Sequence, residues 1–319
     1  MKTPRLIQSA RHEPHALRAE LLVGLMAPTA TIAPKYLYDA LGSRLFAAIV
    51  ELPEYYLART EAAIFASHLG AMARALGPVA TLVDLGAGNC EKAARLFDAF
   101  QVQRYVAVDI SANYLRESLD KLQRQHPQMD MLGIGLDFSQ NLNLPAEVGE
   151  GARTLFYPGS SIGNFAPDAA LAFLCQAHAA AQGGALLIGV DLVKPVDILE
   201  PAYDDALGVT AAFNRNLLLH LNCLAGTDFD VADWRHVAFF NAASSRIEMH
   251  LEAVRDVIAS WAGGARRFAA GERMHTENSL KWRIDDFAAL LRLAGFSRLQ
   301  HWTDERQWFA VFLAVCRSG

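Results

Sequence analysis

The stretch Ala80–Gly88 reads ATLVDLGAG. A short β-rich run, Ala80–Leu85, closes on Gly86-Ala87-Gly88, and Glu91–Phe100 beyond it carries helical spacing. Glycines after a strand let the backbone turn sharply and approach a ligand at a helix N-terminus. The same unit then recurs. Tyr105–Asp109 reads as a second strand, followed by a helical segment that opens at Ser111 and runs to about Arg124. Met131–Leu136 and Thr154–Pro158 read as third and fourth strands, Asp168–Ala181 as a helix with Pro167 at its start, and Ala185–Val193 as a fifth strand after Gly183-Gly184. Strand and helix alternate over about 110 residues, the pattern of βαβ units in an α/β, doubly wound parallel sheet.

On the N-terminal side, residues 12–27 place Leu17, Leu21, Leu22 and Leu25 at helical spacing, Ala40–Leu52 does so with Leu41, Leu45, Phe46 and Ile49, and a third helix runs from Thr60 to about Leu76, ended by Gly77-Pro78. On the C-terminal side the alternation breaks after Lys194-Pro195. Residues 198–222 read as helices, His236–Asn241 and Ser245–Glu252 as antiparallel strands, and Arg267–His275 as a further strand. Regular order returns with a helix at Asp285–Ala294, stopped by Gly295, and a closing hairpin of Ser297–Trp302 and Trp308–Cys316. The expected division is a core of residues 60–193 plus 283–319 and a second lobe of residues 1–59 plus 194–282.

The 319 residues are 52% hydrophobic and 20% charged, average for a globular chain, which excludes a disordered or fibrous one. With 29 basic against 34 acidic residues the net charge is −5, without the basic surplus of a general nucleic-acid binder. The longest apolar runs fall short of the roughly 20 residues a membrane helix needs. The N-terminal stretch MKTPRLIQSARHEPHALRAE lacks the apolar middle of a secretory signal. Cys90, Cys175, Cys223 and Cys316 are scattered, with no CxxC pair, and read as reduced thiols. The histidines offer no metal set; the closest pair, His12 and His15, has no third ligand beside it. A cytoplasmic enzyme, monomeric, with no metal, nucleic-acid or membrane partner, is the expectation.

The glycine turn narrows the ligand. The dinucleotide fingerprint GxGxxG would require a glycine at 91, where Glu91 stands, and a glutamate in the first helical turn repels a pyrophosphate. Asp109 ends the second strand 21 positions after Gly88, where a doubly wound nucleoside site holds ribose hydroxyls. Asp137 with Phe138 follows the third strand and suits the exocyclic amine and face of adenine. Asp84, Gly86, Gly88, Asp109 and the Asp137-Phe138 pair together resemble the S-adenosylmethionine site of class I methyltransferases, a site that binds no phosphate. The terminal hairpin is the usual ending of that fold.

Several dense polar segments lie outside this pattern: Lys35–Tyr38 with Gly42-Ser43, LPEYYLARTE at Leu52–Glu61, PGSSIGN at Pro158–Asn164, Asp191–Lys194, AYDDALGVTAAFN at Ala202–Asn214, SRIEMHL at Ser245–Leu251 and HTENSLK at His275–Lys281. Together they resemble the histidine-specific Nα-methyltransferases of ergothioneine biosynthesis, over about residues 33–315. The resemblance implies a Rossmann-like methyltransferase core with a separate substrate lobe, S-adenosylmethionine as cofactor, L-histidine as substrate and Nα,Nα,Nα-trimethylhistidine (hercynine) as product. It implies that Asn164 and Tyr203 take the amino and carboxylate groups of the substrate. One tyrosine of the Tyr55-Tyr56 pair, Tyr56 as the second, reaches it too, with Tyr38 nearby. Glu277 and Ser279 would bond the imidazole and Met249 would line that pocket; Lys92 stays in register for the cofactor. These chemistries are sensible: imidazole nitrogens donate or accept, so a carboxylate and a hydroxyl fix its tautomer.

Two departures stand out. The family commonly carries GSGTS after the first strand, against Gly86-Ala87-Gly88-Asn89-Cys90, and GSTIGN where GSSIGN stands. Fungal relatives in the broader family methylate an indole amino acid, so methylation of another amino acid or amine is the alternative; Glu277 and Ser279 argue for imidazole.

Overall fold

The computed structural model describes residues 2–8 and 14–316. His12, where the first helix was expected to begin, and residues 317–319 of the expected core lie outside them. The first elements are β1 (Arg5–Gln8), α1 (Pro14–Met26), α2 (Ala40–Val50), α3 (Tyr56–Leu76), β2 (Thr81–Leu85), α4 (Glu91–Ala94), β3 (Arg104–Asp109), α5 (Ala112–Gln125) and β4 (Asp130–Gly135). Next come β5 (Thr154–Tyr157), α6 (Pro167–Ala180), β6 (Ala185–Asp191), α7 (Val196–Leu199), α8 (Val209–Ala225), β7 (Trp234–Asn241) and β8 (Arg246–Ala253). The chain ends with β9 (Val257–Trp261), β10 (Gly264–Phe268), β11 (Arg273–Leu280), α9 (Ile284–Leu293), β12 (Arg298–Thr303) and β13 (Phe309–Val315).

Two compact units emerge. One contains β1, the chain from Arg59 to Val193 and the part from Trp282 onward. Its sheet has eight strands in the order β1-β4-β3-β2-β5-β6-β13-β12. All pairs are parallel except those of β13, which runs antiparallel to both β6 and β12. β5 and β6 are buried at every position, as expected of apolar strands covered on both faces. α5 buries Leu115, Leu119 and Leu122 at helical spacing. The strand order reverses beside β2, and Asp84, Asp109, Asp137 and Asn164 lie at or just past the carboxyl ends of β2, β3, β4 and β5, where such sheets take ligands.

The other unit runs up to Ala58 and from Lys194 to Lys281. A three-stranded antiparallel sheet, β11-β8-β7, packs on α8, and β9 with β10 makes a separate hairpin.

Three expectations are corrected. Residues 1–59 were expected wholly in the second lobe, yet β1 adds a parallel edge strand to β4 of the core sheet. Four residues, RLIQ, are too few for a period to register. The expected helix Glu91–Phe100 is helical only to Ala94; Leu96, Phe97 and Phe100 are buried from turns, so their spacing reports packing and not helix. Arg267–His275 holds no single strand: Gly271, at φ +82°, turns the chain between β10 and β11.

Candidate active site

In the sheet unit, Gly86 and Gly88 adopt φ of +73° and +51°, the left-handed region that glycine enters without strain. A Cβ on Gly86 would stand 3.7 Å from the Phe138 ring, so the turn and the aromatic face one another closely. The Gly88 N–H donates to Asp109 Oδ2 and the Ser111 N–H to Asp109 Oδ1, both at 2.9 Å. The carboxylate, which can accept about four hydrogen bonds, keeps room for a ligand hydroxyl. Burial holds the Asp109 pKa above the usual carboxylate range despite these amides. Asp84, fully inside, accepts from Tyr105 Oη at 2.8 Å, and burial pushes it up to about 7. Asp137 accepts from the Ser139 N–H and hydroxyl, while the Phe138 ring meets Tyr157 edge-on at 5.7 Å. Cys90, in the departing GAGNC turn, is buried and its thiol is pushed up to about 12 by burial, which makes it inert.

These residues fit S-adenosylmethionine. Its ribose needs acceptors, its adenine a flat apolar face, and its phosphate-free sulfonium linkage a turn without a phosphate cradle; Asp109, Phe138 and the two glycines would supply them.

Glu61 ties this turn region to the segment that carries Asn164. It is 2% exposed; its Oε1 accepts the Gly159 N–H and its Oε2 the Lys92 ammonium, both at 2.7 Å. Ser160, at φ +60°, accepts the Asp191 N–H on its hydroxyl at 2.8 Å. Anchored on both sides, the 160s turn ends in Asn164, half-buried past β5.

In the second unit, Glu277, Ser279 and Lys281 follow one another at alternate positions, so they share a face. Their exposures are 8%, 4% and 3%. Met249 pairs directly with Glu277 across β8 and β11. Glu277 Oε2 is buried with no hydrogen-bond partner among the described residues, and burial pushes its carboxyl up to about 8, opposed by the Lys281 charge. Tyr203 Oη and Ser279 Oγ lie 2.7 Å apart, and Lys281 Nζ donates to both, at 2.9 and 2.8 Å. The ring of Tyr203 meets that of Tyr55 at 6.3 Å, whereas Tyr56 Oη accepts from Lys194 Nζ at 2.8 Å. Tyr38 packs its ring edge-on against Phe46 and Phe213.

The structure thus groups Gly86 with Phe138, Gly88 with Asp109, Tyr203 with Ser279, and Met249 with Glu277. Tyr56 is joined to Lys194, and the ring of its neighbour Tyr55 meets that of Tyr203. Glu61, Lys194 and Lys281, which the sequence reading did not single out as site residues, bond the candidate residues Lys92, Tyr56 and Tyr203. Each sits in a segment singled out there, and the alternation E-x-S-x-K in HTENSLK was the signal for Lys281.

No helix among the described residues is long and apolar enough to cross a membrane. Comparison with known proteins follows the same lines. The histidine N-alpha-methyltransferase of Mycolicibacterium smegmatis is 39% identical over 94% of this chain and 95% of its own length. That of Mycobacterium tuberculosis is 39% identical with the same coverage. Ergothioneine biosynthesis protein 1 of Neurospora crassa is 28% identical over 89% of this chain, which matches 33% of that longer protein. The family described as histidine-specific methyltransferase, SAM-dependent, matches residues 17–316. With its parallel sheet, its antiparallel closing hairpin and its glycine turn, this chain belongs to the histidine-specific, S-adenosylmethionine-dependent methyltransferases.

Proposed function

We propose that the protein methylates the α-amine of L-histidine three times, giving trimethylhistidine, as a cytoplasmic monomer. One observation carries the reading: Glu277, a buried carboxylate with an unpartnered oxygen, beside Ser279 and Met249. A neutral imidazole has one donor and one acceptor nitrogen, and a carboxylate with a hydroxyl gives each a partner. An apolar ring would leave the carboxylate buried and unpaired. The 39% identity to two histidine N-alpha-methyltransferases supports the same substrate.

S-adenosylmethionine, when bound, supplies an electrophilic methyl group. In this reading Asp109 holds the ribose hydroxyls, Phe138 lies against the adenine with Asp137 at its amine, and Lys92 with Gly86 and Gly88 shapes the turn; Asp84 supports that turn from below. In the first two rounds the Asn164 amide oxygen accepts an N–H of the substrate amine and directs its lone pair without adding a charge that favours the ammonium form; the dimethylated amine of the third round has no N–H for it to accept. Tyr203 and Tyr56 orient the amino and carboxylate groups by hydrogen bonds, Tyr38 closes the aromatic wall, and a tyrosine hydroxyl passes the released proton to water.

Mass spectrometry of histidine incubated with the protein and S-adenosylmethionine tests this. Successive mono-, di- and trimethyl products are expected; no methylated histidine, or methylation confined to another amine, would overturn it.

A further inference from the structure

The Lys281 ammonium is buried beneath the hydroxyl pair Tyr203–Ser279 and on the same strand face as Glu277. We propose that Lys281 is a specificity-determining positioning residue: through its bonds to Tyr203 and Ser279 it fixes the Ser279 hydroxyl as a hydrogen-bond donor, leaving Glu277 as the acceptor, so that the pocket takes a ring with one acceptor and one donor nitrogen. The inference rests on the histidine reading above and deepens it.

Counting protons gives the argument. A serine oxygen has two lone pairs and one hydrogen. Either hydroxyl can donate across the 2.7 Å Tyr203–Ser279 contact, and the greater acidity of the phenol favours Tyr203 as the donor. Lys281, whose nitrogen has donors and no acceptor, occupies the second lone pair of Ser279 at 2.8 Å. Both lone pairs are then filled, and the serine hydrogen is what remains for a ligand. Without the lysine, one lone pair reopens and Ser279 can turn to accept, in which case a protonated Glu277 would become the donor. Two proton arrangements would compete on more even terms where Lys281, by filling that lone pair, favours one. Its charge near Glu277 favours the same arrangement: it opposes the effect of burial on a carboxyl that holds its proton up to about 8 in the ligand-free protein, so that a ring N–H donated to Glu277 completes the ionisation.

Lysine is a costly residue to bury, and one of the hydroxyls it bonds, that of Ser279, is assigned to the ring in the histidine reading. Deletion of the ammonium therefore acts on histidine affinity through Ser279, which a merely structural lysine would not do.

The test is a cycle of Lys281→Met, Ser279→Ala and the double variant in the full chain, with KM for histidine, kcat and S-adenosylmethionine affinity measured for each, and Lys281→Gln as a variant that keeps a donor. Lys281→Met is expected to raise KM for histidine about tenfold or more, with a smaller change in kcat and cofactor affinity within about twofold. Adding Ser279→Ala to it should raise KM less than about threefold further, and Lys281→Gln should recover part of the loss. An unchanged KM, fully multiplying effects in the double variant, or loss of folding and cofactor binding in both lysine variants would overturn the proposal. Wild-type protein that fails to methylate histidine would instead overturn the substrate reading itself.

Discussion

The backbone N–H of Gly88 donates to Asp109 Oδ2 at 2.9 Å, which locks the glycine turn after β2 to the acid that ends β3. The acid thereby shapes the turn, and in the proposed reading its remaining lone pairs take the ribose hydroxyls. Asp109→Ala is expected to weaken S-adenosylmethionine binding by about 1.5–3 kcal/mol, the range for a charge-assisted hydrogen bond, while the fold is retained. Calorimetric titration of the cofactor with a melting curve checks it; unchanged affinity would remove Asp109 from the site.

Asn164→Asp should slow methylation without unfolding the protein or releasing the cofactor. A carboxylate beside the amine raises the amine pKa and favours the unreactive ammonium form. The rate should recover in part as pH rises. Release of demethylated cofactor, followed against pH, reads this; full activity near neutral pH would show that Asn164 does not orient the amine.

The Glu61–Lys92 pair is asymmetric. The Glu61 side chain is 3% exposed and that of Lys92 45%. Removing the lysine strands a buried carboxylate, whereas removing the carboxylate's charge leaves an ammonium that water can reach. Lys92→Met is therefore expected to destabilise the protein more than Glu61→Gln, and adding Glu61→Gln to Lys92→Met should restore stability, with a coupling of about 0.5–3 kcal/mol. Denaturant melts of the three variants decide it; equal and additive losses would show that the pair does not act as a unit.

Glu277 links the substrate pocket to stability. Its carboxyl rises from 4.5 unfolded to about 8 folded, so the native state holds a proton that the unfolded chain has released between these values. Stability from this group is full below about pH 4.5 and is lost as pH rises through 8. Glu277→Gln should flatten that fall, gaining about 2 °C or more in Tm at pH 8 and nothing at pH 5, while losing histidine affinity. Ligand-free melting curves across pH check it; an unchanged slope would mean that Glu277 is already ionised in the fold.

Most of the sheet was readable from the chain because β5, β6 and β13 are continuous apolar runs and α5 has a clean amphipathic period. What escaped is short or set by packing. β1 is four residues long, and the turns after Ala94 bury Leu96, Phe97 and Phe100 at spacings that mimic a helix. The site follows the same rule. Residues whose job is local, such as the glycines and Asp109, announce themselves by spacing. Glu61 and Lys281 act through partners far along the chain, Glu61 bonding Gly159 98 positions away and Lys281 bonding Tyr203 78 positions away, and sequence spacing says nothing about such pairs.

The central claim is that the pocket lined by Glu277 and Ser279 reads an imidazole. Calorimetric titration of histidine and of tryptophan into the protein saturated with demethylated cofactor tests it most directly. Histidine should bind at least about a hundredfold more tightly than tryptophan, because the larger ring has no acceptor nitrogen for Ser279. Ser279→Ala should erase most of that preference. Equal affinities for the two amino acids, or an unchanged preference in Ser279→Ala, would contradict the account.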